Sequence, residues 1–295
     1  MLLSRQFFGV YLYICLSIMT FTSQSFAGLI FDTERVKKYL AQDEIYFKDG
    51  FYNGTLVDTS IKQPVTLISE LEDDRSIFVS HVYNQRQFWV AKIDKMSVKT
   101  VIYQMALFNS VFGIKLTHAQ LRFQLSTPAT LYRVKNNKIV TTATSDLIFT
   151  VQAATPYNIG YNLVDAIAGN YVVVSRLVNT HDRVVGEEIP DGDIVRQYRL
   201  INLSFSDKYN LLLNSLKMSS EHLANRTYYA TTANCINLLM DVIDETLGLN
   251  YPRLELNIEN TLLNGLSPNE KLILEALKER DLINENSRIV DYIDQ

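Results

Sequence analysis

Strand-like and helix-like sequences occupy different parts of this chain, and this segregation constrains the fold most. Residues 98–125 are rich in β-branched and aromatic residues, as strands are. Shorter runs of the same character follow at 129–134, 138–142, 146–153, 171–178 and 196–203. Helical periodicity is found at 33–47 and then only at the end, at 206–217, 235–247 and 267–279. Since the strands are not interleaved with helices, we predict an α+β fold and not a series of βαβ units.

Local signals refine some of these elements. Asp32 or Thr33 is available to cap the first helix, and Ser206 and Ser267 are available for two of the later ones. Gly248 follows the periodic run at 235–247, which is typical of a helix end. Residues 64–95 contain short apolar bursts without a clear period, so no element is predicted there.

One predicted strand, at 117–124, has two unlike faces. Its polar residues share one face and its apolar residues the other: His118, Gln120, Arg122 and Gln124 against Ala119, Leu121 and Phe123. This alternation predicts a strand with its apolar face on a core and a histidine on the polar face.

The N-terminus has the pattern of a secretory signal. Arg5 supplies a positive charge, residues 7–22 form an apolar stretch, and Ser25-Phe26-Ala27 ends in a small residue. We therefore expect cleavage after Ala27 and a periplasmic or secreted protein. An uncleaved membrane anchor is the alternative.

Composition favours a globular protein with no nucleic-acid partner. Hydrophobic residues make up 47% of the chain and charged residues 20%, which suits a packed core. The net charge is −4 and no basic block occurs, which argues against nucleic acid as the main partner. We predict four regions: the signal at 1–27, an N-terminal helical or mixed region at 28–95 that could form a subdomain, a core at 96–250, and a helical tail at 251–295.

Removal of the signal would leave Cys235 as the sole cysteine, because Cys15 lies in the apolar stretch. An unpaired thiol in an exported protein is either a small buried hydrophobe or a group kept for chemistry. Asn234 is a good helix cap, and it places Cys235 in the first turn of the predicted helix. The free amides of a first turn stabilise a thiolate and the oxyanion of a tetrahedral intermediate. We therefore predict a nucleophile at Cys235.

A nucleophilic thiol needs a base, and four histidines are available: His81, His118, His181 and His222. His118 is the preferred candidate because it lies among polar residues on one strand face. The spacing of these histidines does not match a zinc motif, and no phosphate-binding glycine loop or G-x-S-x-G motif occurs. We expect no metal and no cofactor.

Three stretches together resemble the Lnb N-terminal periplasmic domain family. The first is Phe112-Gly113 followed by THAQLRF at 117–123; the second runs through 166–178 and 193–216, ending in RQYRLINLS and a helix; the third is RTYYATTANCINLLMDVID at 226–244. The family usually has glycine directly before its histidine, whereas Thr117 precedes His118 here.

The order of histidine before cysteine looks like the circularly permuted branch of papain-like (NlpC/P60-type) enzymes. The resemblance implies a central antiparallel sheet with the nucleophile helix packed on it. It also implies Cys235 as the nucleophile, His118 as the base, and Gln152 as the polar residue that orients the base, with Asp146 as the second choice. Asn234, Tyr229 and Arg122 are the residues implied at the substrate or oxyanion site.

The family includes the periplasmic part of a bacterial lipoprotein N-acyltransferase. The resemblance therefore implies acyl transfer or hydrolysis through a thioester, on a lipid, lipoprotein or cell-wall peptide substrate, with peripheral membrane contact. Two alternatives remain open at this point: a cell-wall peptidase or amidase, and a secreted binding module that keeps the fold without catalysis.

Overall fold

A computed structural model of the protein describes residues 32–42, 44–73, 75–109, 115–222, 226–254 and 268–292. The predicted signal at 1–27 and the predicted cap Ser267 lie outside these residues. Within them, no helix is long and apolar enough to cross a membrane.

The described residues form an α+β structure, as predicted. Its strands are β1 (Thr66–Leu67), β2 (Ser76–Asn84), β3 (Gln87–Asp94), β4 (Val98–Asn109), β5 (Lys115–Lys135), β6 (Lys138–Ala154), β7 (Tyr171–Asn179), β8 (Ile194–Arg199), β9 (Thr227–Tyr228) and β10 (Arg288–Ile289). Its α-helices are α1 (Thr33–Tyr39), α2 (Leu163–Ala168), α3 (Phe205–His222), α4 (Cys235–Leu247) and α5 (Pro268–Glu279), and a π-helix spans His181–Glu188.

The strands join one sheet in the order β1-β2-β7-β6-β5-β4-β8-β10. All pairings on this path are antiparallel except that of β2 with β7. β3 pairs with both β2 and β5, so hydrogen bonds close a ring through β2, β3, β5, β6 and β7. The predicted boundary at residue 95 therefore falls inside the sheet, because β2 and β3 from the region 28–95 pair with strands of the predicted core.

The two faces of the sheet differ as the alternation in β5 predicts. Leu121 and Phe123 belong to the main hydrophobic cluster, which also contains apolar residues of α3, α4 and α5. Gln120 and Arg122 face away from this cluster, and they too are buried. The polar face of β5 is thus not a solvent face, and the π-helix His181–Glu188 covers part of it.

Two predicted helices differ from the observed ones. The helix expected at 33–47 ends at Tyr39, because Tyr46 bridges to Leu56 and Phe47 packs into a small cluster beside the sheet. Asp32 caps it, as predicted. The helix expected from Ser206 begins at Phe205, because Ser204 and Asp207 exchange side-chain-to-backbone hydrogen bonds of 2.8 and 3.1 Å in a capping box.

Candidate active site at the start of α4

Cys235 is the first residue of α4, and Asn234 caps the helix as predicted. Asn234 has an extended backbone conformation. Its side chain accepts hydrogen bonds from the amides of Ile236 and Asn237, both at 3.0 Å. Its Nδ2 donates to the Ala230 carbonyl at 2.8 Å, which fixes the cap. The thiol is buried and forms no disulfide.

The thiol reaches the sheet where two strands separate. The pairing of β5 with β6 begins at Gln120↔Thr150, whereas β5 continues toward its start paired with β4 alone. In the resulting gap, the Ala119 amide donates to Sγ of Cys235 at 3.5 Å. Cys235 lies on the face of the sheet that the helices cover. Through the gap its side chain approaches the opposite face, where His118 lies.

His118 is half-buried next to this contact. Its Nε2 lies 2.6 Å from the hydroxyl oxygen of Thr150 on the neighbouring strand. Nδ1 has no hydrogen-bond partner within the described part of the chain. Thr150 therefore fixes the ring by one nitrogen and leaves the other available to accept a proton.

Cys235 and His118 line the same cavity, which has a volume of about 370 Å³. Its other lining residues come from the sheet, the loops before β1 and before α2, the π-helix and the loop after the π-helix: Lys62, Phe108, Thr117, Gln152, Ala153, Tyr161, Arg183, Glu188, Asp191, Asp193 and Tyr228. A smaller hollow of about 60 Å³, lined mostly by apolar residues, also borders Cys235. The arrangement can hold a substrate against both the thiol and the imidazole.

Burial keeps both groups neutral at rest. It raises the pKa of the Cys235 thiol to about 11, against the opposing effect of the nearby backbone amides. It also lowers the pKa of His118 well below its usual range, and the positive charges of Arg183, Arg176 and Lys62 add to this effect. The resting pair is thus a thiol and an imidazole, not a thiolate and an imidazolium.

A row of buried polar side chains crosses five strands, and on β5 it lies two residues from His118. Its members occupy matching register positions on β8, β4, β5, β6 and β7: Gln197, Gln104, Gln120, Thr150 and Arg176. Gln104 and Gln120 are joined by a hydrogen bond of 3.1 Å. The row supplies the hydroxyl that holds the imidazole, and the rest of it is tied into fixed hydrogen bonds.

The π-helix His181–Glu188 covers this row and forms hydrogen bonds with it. Arg183 donates to Gln120 at 3.1 Å and to Glu187 at 2.6 Å. Glu187 also accepts two hydrogen bonds from Arg176, at 2.8 and 3.0 Å, and these two arginines lower its pKa although burial raises it. Glu188 is buried near Arg183, and burial raises its pKa to about 7.

The structure changes the predicted role of the third residue. Gln152 lines the cavity, but its Oε1 accepts from Arg176 at 3.2 Å, and the group on His118 is Thr150. Asp146, the second choice, pairs with Arg122 and accepts from Thr180 at 2.8 Å. Neither predicted residue therefore contacts the imidazole.

Two of the predicted substrate residues also lie elsewhere. Arg122 is held by Asp146 and by Gln197, at 2.7 Å, and does not line the cavity. Tyr229 is 40% exposed and its ring lies against Gly169, whereas its neighbour Tyr228 lines the cavity. Tyr229 lies just after β9, where it forms an isolated bridge with Ala233, and its ring is directed to Gly169 instead of the cavity.

Sequence reasoning missed several lining residues, among them Lys62, Tyr161 and Arg183. Arg183 lies in the charged segment NTHDRVVGEE, which matches no motif. Lys62 and Tyr161 come from loops with no motif. Among the described residues, no group of three or more histidine, cysteine, aspartate or glutamate side chains is placed to hold a metal ion.

Comparisons with known proteins give no family for this chain. No family model matches it, and no curated protein or solved structure is similar enough to count as a match.

Proposed function

We propose that this protein is an exported cysteine-dependent acyltransferase or hydrolase that acts through a thioester on Cys235. The observation that carries the proposal is the position of a helix-opening thiol in a strand gap, in one cavity with an imidazole held by Thr150. We further propose that the fold is of the permuted papain-like type and that the chain is related to the Lnb N-terminal periplasmic domain family.

In the proposed first step, Sγ attacks the carbonyl carbon of an ester while its proton passes to Nδ1 of His118. The imidazolium then gives this proton to the leaving alcohol as the carbon–oxygen bond breaks, which leaves the acyl group on sulfur. An amine or water then attacks the thioester and returns the thiol. Because burial disfavours separate charges on the resting pair, proton transfer accompanies attack instead of preceding it.

Gln152 is suited to stabilise the oxyanion. Since its Oε1 is engaged by Arg176, its amide N–H groups are the part left for the cavity. The first-turn amides of Ile236 and Asn237 are already bonded to the cap, so the Cys235 amide is the remaining helix donor. We propose that this amide and Gln152 together receive the carbonyl oxygen.

The direct test is acyl-enzyme formation. The protein is incubated with activated esters of short and long acyl chains and with a diacylated lipopeptide, and the adduct on Cys235 is sought by intact mass and peptide mapping. We expect an acyl adduct that hydroxylamine removes, formed by the wild type and abolished in Cys235→Ala. His118→Ala should slow its formation by about 100-fold or more, the usual scale for a lost general base.

Controls and alternatives are built into the same assay. Circular dichroism and the melting temperature must show that each variant is folded. A wild-type protein that forms no adduct with any ester would refute the acyltransferase. Release of fragments from peptidoglycan with no reaction on esters would instead select the peptidase or amidase.

A further inference from the structure

Lys62 places a positive charge in the wall of the cavity that contains Cys235. It lies in the loop before β1, and its Nζ donates to the carbonyl of Ala153 at 3.3 Å. Ala153 follows Gln152, which occupies the position on β6 two residues beyond Thr150 and on the same face. Lys62 is therefore near the part of the cavity wall that contains Gln152, and its charge acts on His118.

This ammonium group forms no salt bridge in the part of the chain that the structure describes, and the carboxylates of Asp58 and Glu187 act on it only from a greater distance. The other cation of the cavity wall, Arg183, is paired with Glu187 at 2.6 Å and lies 3.0 Å from Glu188. Lys62, in contrast, bonds to a neutral carbonyl and keeps two donor positions. A partly desolvated charge without a partner is costly, and such groups are normally paired.

The cavity wall contains both positive and negative side chains. The ionised groups that act on His118 are all cations: Arg183, Arg176 and Lys62. Asp191 and Asp193 line the cavity from the loop before β8, and the charge of Arg183 acts on Asp193. Burial, first, and then the two arginines lower the pKa of Lys62, whereas Asp58 and Glu187 oppose this only in part.

We propose that Lys62 binds an anionic group of the substrate, a phosphate or a carboxylate, that lies beside the bond attacked by Cys235. This inference rests on the proposed function for the identity of the nucleophile, and it adds the charge of the substrate next to the reacting carbonyl. The anion supplies the salt-bridge partner that the ammonium group lacks in the described part of the chain.

The test compares iodoacetate with iodoacetamide as alkylating agents of Cys235. Both reagents form the same carbon–sulfur bond with loss of iodide, but only iodoacetate is anionic. The ratio of their rates thus reports the charge near Sγ and cancels the fraction of thiolate. We expect Lys62→Gln to lower the iodoacetate-to-iodoacetamide ratio roughly fivefold relative to the wild type, as loss of a nearby unit charge would do.

Matched variants separate charge from structure. Lys62→Arg should keep the wild-type ratio, and Lys138→Gln, at the exposed start of β6, should leave it unchanged. Equal ratios in Lys62→Gln and the wild type, with both folded, would overturn the proposal. Because the ratio requires only a reactive thiol, it stays informative if Cys235 proves to form no acyl adduct.

A second measurement asks whether an anion binds. Inorganic phosphate and acetate are added separately during alkylation by iodoacetamide, with sodium chloride at equal ionic strength as the reference. We expect protection of Cys235 in the wild type and in Lys62→Arg, and its loss in Lys62→Gln. Protection by phosphate alone assigns a phosphate group, protection by acetate alone assigns a carboxylate, and protection by neither refutes the subsite.

Discussion

The reactivity of Cys235 toward iodoacetamide should rise steadily with pH and should be slow near neutrality. Burial raises the pKa of the thiol from 9.0 to about 11, so the thiolate fraction near pH 7 is about 100-fold below that of an ordinary cysteine. A more basic thiolate is also more nucleophilic, which recovers about tenfold of this loss. The net rate constant near pH 7 should therefore be at least about tenfold below that of the same thiol in the unfolded protein.

The assay follows mass addition at Cys235 by peptide mapping between about pH 7 and about pH 9.5, with the urea-unfolded protein as reference. The mapping, or a Cys15→Ser background, excludes any contribution from the signal segment. The logarithm of the rate should increase by about one unit per pH unit with no plateau. His118→Ala should leave this slope unchanged, because the neutral imidazole does not stabilise a thiolate at rest.

A plateau below about pH 8 that His118→Ala removes would refute this reasoning. It would mean that the pair exists as thiolate and imidazolium in the resting protein, and that the amides of Ala119 and the first turn outweigh desolvation. Acyl transfer would then begin with a preformed ion pair.

Three further predictions concern the parts that support the site. Thr150→Val should slow acyl-enzyme formation by about 10- to 100-fold, because it leaves Nε2 of His118 without its buried partner, whereas Thr150→Ser should stay within a few-fold of wild type. Gly169→Ala should destabilise the protein in urea by at least about 1 kcal/mol more than Gly248→Ala. Both glycines have a positive φ, of 73° and 65°, but a Cβ at Gly169 would lie 2.2 Å from the Tyr229 ring and one at Gly248 would meet nothing within 4 Å; equal losses would show that the ring gives way freely. Because the pKa of His118 is depressed in the folded protein, the unfolded protein binds a proton more readily below about pH 6.5. The contribution of His118 to the free energy of unfolding should therefore be complete above this pH, and it should be lost at up to about 1.4 kcal/mol per pH unit as the pH falls further. Urea titrations of the wild type and His118→Gln measure this slope, and identical slopes would contradict it.

Elements with local signals could be predicted from the sequence. The helix α4 begins and ends where predicted, because an asparagine cap and a glycine at φ 65° determine its ends within the helix itself. The two faces of β5 were also predictable, since alternation depends only on neighbouring residues. The helix expected at 33–47 failed because Phe47 gains more from packing on the sheet than from helical propensity.

The third residue of the site could not be predicted because it depends on strand register. Gln152 and Thr150 lie on the same face of β6, one pleat apart, and only the pairing Gln120↔Thr150 decides which of them is next to His118. Lys62 comes from a loop whose path is determined by contacts with distant strands, such as its bond to Ala153. Tertiary contacts of this kind leave no local pattern in the chain.

The contact between the Ala119 amide and the Cys235 sulfur spans 116 residues of sequence. Contacts of such separation require closure of a long loop and tend to form after local pairings such as the β5–β6 hairpin. During folding the thiol is therefore solvated and retains its ordinary acidity until α4 docks on the assembled sheet. Docking withdraws it from solvent and makes it a poor partner for thiol–disulfide exchange. Completion of the fold is thus also the step that protects the Cys235 thiol from oxidation, and the incompletely folded chain is the form most exposed to oxidative loss.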